Sequence, residues 1–352
     1  MSRFFTGVWV ILSLELRQRV RGVAWYVLLG VFFALTFVVT ALLATVLPDY
    51  WGDDSGSFIY ITVVYFVLLL GTLVAPALSG NAINGDRDAG TLATTQVTLI
   101  TTWQLIIGKF FAAWASALAF LVVAAPFLIF AKLSGGVGWS SILVSLVILA
   151  IELGVVAAIG VGLSGLINRP LFSIVATYMV VATLCIGTLI AFGLGGLAVQ
   201  TTVTTEYTSM IYDDNGEATG KCSPTDTYTD VVPTYDRLWG VLVANPFVVL
   251  SDAVPTHFDA DGEPTDSFGY VKFGIRSAQI PVPTRQIENE CSNLSNSQDR
   301  LNQTPEEVIN TTTPGWLVGL IIQLVLAAAA LCGAWSRTLT PARRLSKGSR
   351  IA

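Results

Sequence analysis

Apolar residues in this chain come in long unbroken runs. Five fall in the first part, at about Val23–Leu47, Phe58–Ala82, Leu105–Leu133, Trp139–Ile167 and Leu171–Val199, and a sixth lies at about Trp316–Trp335. A helix needs roughly 20 predominantly apolar residues to cross a bilayer, and each run meets that length. Breaks between runs carry turn chemistry: Pro48 with an acidic stretch, Ser134-Gly135-Gly136, and Asn168-Arg169-Pro170. The pattern predicts an all-α polytopic membrane protein with six transmembrane helices.

Residues 1–21 follow a different rule. Phe5, Val8, Trp9, Leu12 and Leu16 recur at three- and four-residue spacing, and Arg17, Gln18, Arg19 and Arg21 gather at the end. This is the pattern of an amphipathic helix lying at the membrane surface. Reading it as part of the first span would place Glu15 and three arginines at membrane depth, which is costly. The first apolar run begins only after Arg21 and continues for about 25 residues, too long for the apolar core of a signal peptide.

Between the second and third runs lies the longest polar interruption of the first two hundred residues, Asn81–Lys109. Its centre packs Asp86, Arg87 and Asp88 before Gly90, Thr91 and Leu92. A weakly amphipathic stretch follows, with Leu92, Val97, Leu99 and Ile100 apolar among threonines. A short surface helix offered to a soluble partner fits that pattern, and an ordinary polar loop is the plainer alternative.

Charge sets the orientation. With the N-terminus inside, twelve basic residues lie on that side: Arg3, Arg17, Arg19, Arg21, Arg87, Lys109, Arg169, Arg337, Arg343, Arg344, Lys347 and Arg350. The two short connections on the other side hold Lys132 alone. The positive-inside rule therefore predicts both termini and the 81–109 stretch in the cytoplasm. Residues 200–314 become a large extracytoplasmic insertion before the last helix, with six basic against seventeen acidic residues. A structureless loop of that length is uncommon, so a small folded element is expected there. Within it Leu238–Val254 is apolar enough to dip into the membrane or pack on the spans, bent at Asn245-Pro246.

Composition agrees with the membrane class: 53% hydrophobic, 12% charged and a mean hydropathy of +0.67, where soluble domains carry about 25% charged residues. The chain has four cysteines and one histidine, His257. With no Cys-x-x-Cys and no Cys/His cluster, no metal site is expected. Cys222 and Cys291 both fall in the oxidising insertion, so a disulfide between them is expected over two free thiols. Glu152 is the acidic residue inside a span, in the middle of the fourth; such a group marks a pathway or relay, or else a buried hydrogen-bonded contact. Small residues at Gly154, Ala158, Gly162 and Gly165, then Gly187, Gly193, Gly195 and Gly196, permit close helix packing within one chain or between copies. No phosphate-binding loop is present, since Ser346-Lys347-Gly348-Ser349 lacks the first glycine. No catalytic set is visible, so no enzyme activity, bound cofactor or nucleic-acid role is expected of this chain.

Residues 81–109 resemble the type-2 ABC-transporter permease family. There the second span ends in an acid-Arg-acid-x-Gly-Thr-Leu run, matched by Asp86-Arg87-Asp88 and Gly90-Thr91-Leu92. A coupling helix follows, here at 85–104, and a Gly-Lys pair, here Gly108-Lys109, opens the third span. The family more often has Glu where Asp86 and Asp88 stand. It also begins with an elbow helix, similar to residues 1–21 with Glu15-Leu16-Arg17 and Arg21. The resemblance implies a permease subunit of an exporter in a bacterial plasma membrane, working as a dimer of like or unlike permeases with separate ABC ATPase subunits that bind ATP and Mg. Asp86, Arg87, Asp88, Gly90, Thr91, Leu92, Leu99 and Ile100 would form the ATPase-coupling contact, and the cargo would be a drug, lipid, glycan or peptide. The organisation is then 1–21 elbow helix, 22–199 transmembrane helices one to five, 200–314 extracytoplasmic domain, 315–336 transmembrane helix six and 337–352 basic tail. The competing reading is a non-transporting membrane receptor or anchor with 200–314 as its recognition domain.

Overall fold

The computed structural model describes residues 2–46, 55–90, 100–135, 137–212, 218–289 and 303–339. Among these described residues six helices are long and apolar enough to cross a membrane, so the chain is a multi-pass membrane protein. In order, α1 is Ser2–Arg21, α2 Val23–Val46, α3 Ser55–Ser79, α4 Asn84–Asp88, α5 Thr102–Leu133 and α6 Trp139–Leu166. Then come α7 Pro170–Ala182, a π-helical segment Thr183–Gly187 and α8 Thr188–Ala198, which together make the fifth span. The sixth, α13, is Gly315–Thr338.

By contacts the chain forms two compact units, Met1–Cys185 with Gly319–Ala352, and Ile186–Val318. In the first unit α5 packs against α1, α3 and α6, and α3 packs against α6. The glycines expected to permit close packing do so within one chain. A Cβ at Gly162 would lie 2.5 Å from Ala330, one at Gly165 2.5 Å from Ala334, and one at Gly154 3.1 Å from Trp114. Gly193, by contrast, faces open space. Trp103, near the start of α5, and Trp335, near the end of α13, stack on each other at 5.5 Å between ring centres.

The second unit departs from the all-α expectation. Strand β1 (Gln200–Thr208) pairs antiparallel with β4 (Asp226–Pro233) and parallel with β5 (Arg285–Asn289), giving the order β4-β1-β5. A separate two-stranded hairpin pairs β2 (Met210–Tyr212) antiparallel with β3 (Ala218–Cys222). The physical reason is local composition: β1 reads QTTVTTEYT, rich in β-branched residues that favour the pleated backbone, and buries Val203 and Thr205 on one face. Between β4 and β5 run α9 (Trp239–Leu242), α10 (Pro246–Ala253) and α11 (Ser267–Ser277), and α12 (Pro305–Thr311) precedes the last span. The apolar stretch Leu238–Val254 is thus two short helices, bent where expected. Asn245 caps α10 through Phe247 N at 2.9 Å, and Pro246 sits at its first position. Leu242, Val243 and Val248 pack with Ile275 as the core of this unit.

Candidate functional site: a buried lysine between three helices

Helix α5 starts with a reciprocal cap. The Gln104 amide N–H donates to Thr101 Oγ1 at 3.3 Å, and Thr101 N donates to Gln104 Oε1 at 2.7 Å. Gln104 also donates from Nε2 to the Phe4 carbonyl at 3.2 Å, fixing α1 beside the start of α5. Two glycines set the spacing: a Cβ on Gly108 would lie 2.7 Å from Ile11, and one on Gly7 2.7 Å from Gln104. At that separation Lys109 Nζ meets Glu15 Oε1 of α1, and Asp86 Oδ2 of α4 lies 2.8 Å away. The lysine side chain is 2% exposed against 16% for Glu15 and 29% for Asp86, so one dry ammonium joins two carboxylates that reach the surface. The Gly-Lys pair therefore has a steric half and an electrostatic half. Glycine lets α1 approach, and lysine holds it.

Arg87 works on the other side. Its Nη1 donates to Asn84 Oδ1 at 2.7 Å and to Asn168 Oδ1 at 3.2 Å, in the turn between the fourth and fifth spans. Asn84 donates from Nδ2 to the Ile167 carbonyl at 2.6 Å. Ser164 Oγ accepts from Ile83 N at 3.0 Å and Asn84 N at 3.1 Å, satisfying two amides where α3 gives way to α4. Arg19 donates from Nη2 to the Leu78 carbonyl at 2.9 Å. Burial pushes its guanidinium below the ordinary arginine value, against the pull of Glu15. Gly90 stands at φ +70°, a left-handed stop for α4 that glycine takes without strain.

The expected coupling residues divide. Asp86 and Arg87 join this network, while Asp88 is exposed and Ile100 is half-buried just before the cap of α5. Thr91, Leu92 and Leu99 lie outside the described residues, as does the centre of the stretch expected as a coupling helix. Residues 102–104 belong to the helix of the third span. Glu15 and Lys109 were visible as charged positions, but nothing in their spacing announced that they meet. Ser164 and Asn84 carried no signal, being ordinary polar residues near helix ends, and Asn168 was legible as a turn residue but not as a partner of Arg87.

Glu152 is fully buried on α6. The Gln323 amide of α13 interacts with its carboxyl, yet neither carboxylate oxygen meets a partner at hydrogen-bond geometry. Of the cysteines, Cys185 and Cys332 are thiols outside any disulfide. Cys222 closes β3, and Cys291 lies outside the described residues.

The second unit holds its own buried ion pair. Arg276 Nε donates to Asp252 Oδ1 at 2.5 Å, and Arg276 Nη1 to the Thr312 carbonyl at 2.8 Å. Asp252 Oδ2 accepts from Trp316 N at 2.7 Å, so this carboxylate caps the last span from a distance in sequence. Lys272 donates to the Val254 carbonyl at 2.6 Å.

No known protein-family model matches the chain, and no curated protein is significantly similar to it.

Proposed function

We propose that this chain is the membrane-spanning permease subunit of an ATP-driven ABC exporter, energised by a separate ATPase that docks on residues 86–102. The observation that carries the reading is Lys109 holding Asp86 and Glu15 together. A pull on the 86–102 stretch moves Asp86. Through one ammonium that displacement reaches both α1 and the start of α5, and through Arg87 it reaches the turn at Asn168. An element tied to three others at one end of a bundle is what coupling to an external motor requires. In this reading α1 is an elbow helix whose exposed Phe5, Trp9 and Leu14 lie in the headgroup region. Both termini are cytoplasmic, in a bacterial plasma membrane, and residues 200–314 are extracytoplasmic with Cys222 and Cys291 joined as a disulfide. The working particle is a dimer of permeases, like or unlike, with two ATPases that bind ATP and Mg. The cargo is a drug, lipid, glycan or peptide, and this subunit performs no hydrolysis itself.

The test is purification of the tagged protein in mild detergent, with identification of co-purifying chains and an ATPase assay. A soluble ATPase should accompany the native protein and be lost with Leu92→Asp plus Leu99→Asp. Abundant, folded protein that brings down no ATPase sinks the exporter reading. The receptor reading would then take over, since the 186–318 unit has a sheet and core of its own.

A further inference from the structure

Helix α1 carries two stripes at three- and four-residue spacing. On one, Val8 and Ile11 are buried, Glu15 meets Lys109, and Arg19 donates to the Leu78 carbonyl. On the other, Val10, Leu14, Arg17 and Arg21 follow one another, all exposed. Trp9 at 66% exposure and Val20 at 48% flank that second stripe. Glu15 is the one acid in residues 1–21, and it is turned inward to the lysine. Among the described residues neither Arg17 nor Arg21 joins an ion pair. The outward face is therefore apolar over its earlier turns and cationic over its last, and its own helix supplies no acid to neutralise it.

That order fits the place of the helix in the chain. Gly22 N donates to the Arg19 carbonyl at 3.0 Å, and α2, long and apolar enough to span, starts at Val23. Arg21 and Arg17 thus stand within about 9 Å of the start of a span, at the rise of an α-helix. With α1 in the headgroup region, both guanidiniums lie at the depth of the lipid phosphates. A soluble acidic protein or a nucleic acid would satisfy the arginines and leave Trp9, Val10, Leu14 and Val20 in water. A lipid surface satisfies both parts of the face.

We propose that the outward face of α1 binds net-anionic phospholipid, of the phosphatidylglycerol type, and selects it over zwitterionic lipid. The two guanidinium forks take phosphate oxygens, while Trp9, Val10 and Leu14 lie against the upper acyl chains. A choline head brings its own cation, which competes with the arginines for that phosphate; a glycerol head brings none. Anionic lipid thereby anchors the far side of the same helix that Lys109 holds through Glu15. The inference rests on α1 lying in the headgroup region, as in the exporter reading, and is independent of the ATPase.

The experiment uses the full-length protein in phosphatidylcholine nanodiscs doped with a photoreactive phospholipid carrying a diazirine near the glycerol end of one acyl chain. Two versions differ only in head, glycerol or choline. Label on residues 4–21, mapped by peptide analysis as a share of all label on the protein, should favour the glycerol head by about 25-fold, which is about fivefold for each arginine. Arg17→Gln and Arg21→Gln should each remove about fivefold, and the double change should bring the two heads level, with elution volume and melting temperature kept. Arg17→Lys with Arg21→Lys retains the charge and should retain most of the preference. Equal labelling by the two heads in the native protein, or an unchanged glycerol preference in the double glutamine variant, overturns the proposal. So does a soluble acidic protein that co-purifies with the native chain and is lost in that variant while its lipid labelling stays. Lipid preference with no co-purifying ATPase sinks the exporter reading alone, and a co-purifying ATPase without lipid preference sinks this inference alone.

Discussion

Lys109 and Arg276 are both buried cations held by acids, yet they are held in different ways. Lys109 is a point charge between two carboxylates from two other helices, each of which still touches solvent. Arg276 is a planar fork that serves Asp252 and the Thr312 carbonyl at once, while Asp252 in turn caps the last span. An ammonium can turn among its acceptors and keep its charge satisfied, whereas a guanidinium fixes direction as well as distance. The first arrangement suits an element that must shift, and the second suits one that must stay. Each unit of the molecule thus has a buried ion pair, and their geometries assign them different work.

The contrast is open to direct attack. Arg276→Ala strands a fully buried carboxylate and should cost about 3–5 kcal/mol, the range for breaking a buried pair on one side. Thermal unfolding in detergent, with limited proteolysis inside 186–318, reads the loss. Arg276→Lys should recover less than half of it, because an ammonium cannot reproduce the fork. Native stability in that variant would erase the distinction drawn here. Lys109→Ala should cost less, about 2 kcal/mol, since water can reach the carboxylates it leaves behind. Lys109→Arg should be tolerated better than the lysine substitution at Arg276. A melt in which Lys109→Ala is the more damaging change would reverse the comparison.

The smallest effect concerns pH. Burial pushes Lys272 below the ordinary lysine value, with Arg276 adding to it while Asp252 and Asp266 oppose it. Between that lowered value and about 10.4 the unfolded chain binds more protons than the folded one, so stability rises with pH across this alkaline window. Lys272→Met should flatten that rise in a series of melting curves. An unchanged slope would show that Lys272 contributes nothing to it.

Legibility in the sequence followed the range of the interaction. Six spans were readable because each is a local matter of length and hydropathy, and the bend at Asn245-Pro246 because cap and proline are adjacent. Glu15 and Lys109 each stood out as charges beside apolar runs, but they are 94 positions apart, and only the helix crossing at Gly7 and Gly108 brings them together. The sheet was missed for two reasons. Threonine-rich β1 reads as a polar loop to a search for long apolar runs, and its partner β5 lies some 80 residues on. Arg276 looked like surface charge in a strongly acidic segment, and Asp252, inside the apolar stretch Leu238–Val254, gave no sign of its partner.

The π-helical segment Thr183–Gly187 has a consequence for how this gene can vary. Such a turn holds one residue more than the α-helix around it, and each helical residue advances the phase by about 100°. Everything after it in the fifth span is therefore aimed by that one extra residue. Gly195 faces Leu238 and Gly196 receives the Tyr235 ring, where a Cβ would lie only 2.0 Å from a ring carbon. Loss of a single codon between 183 and 187 would restore a plain α-helix and leave every one of those residues in place by identity. It would nonetheless turn both glycines away from their partners and present bulkier neighbours instead. A frame-preserving deletion there acts as a rotation of the whole second half of the span, and natural variation should spare the length of this segment more strictly than its composition.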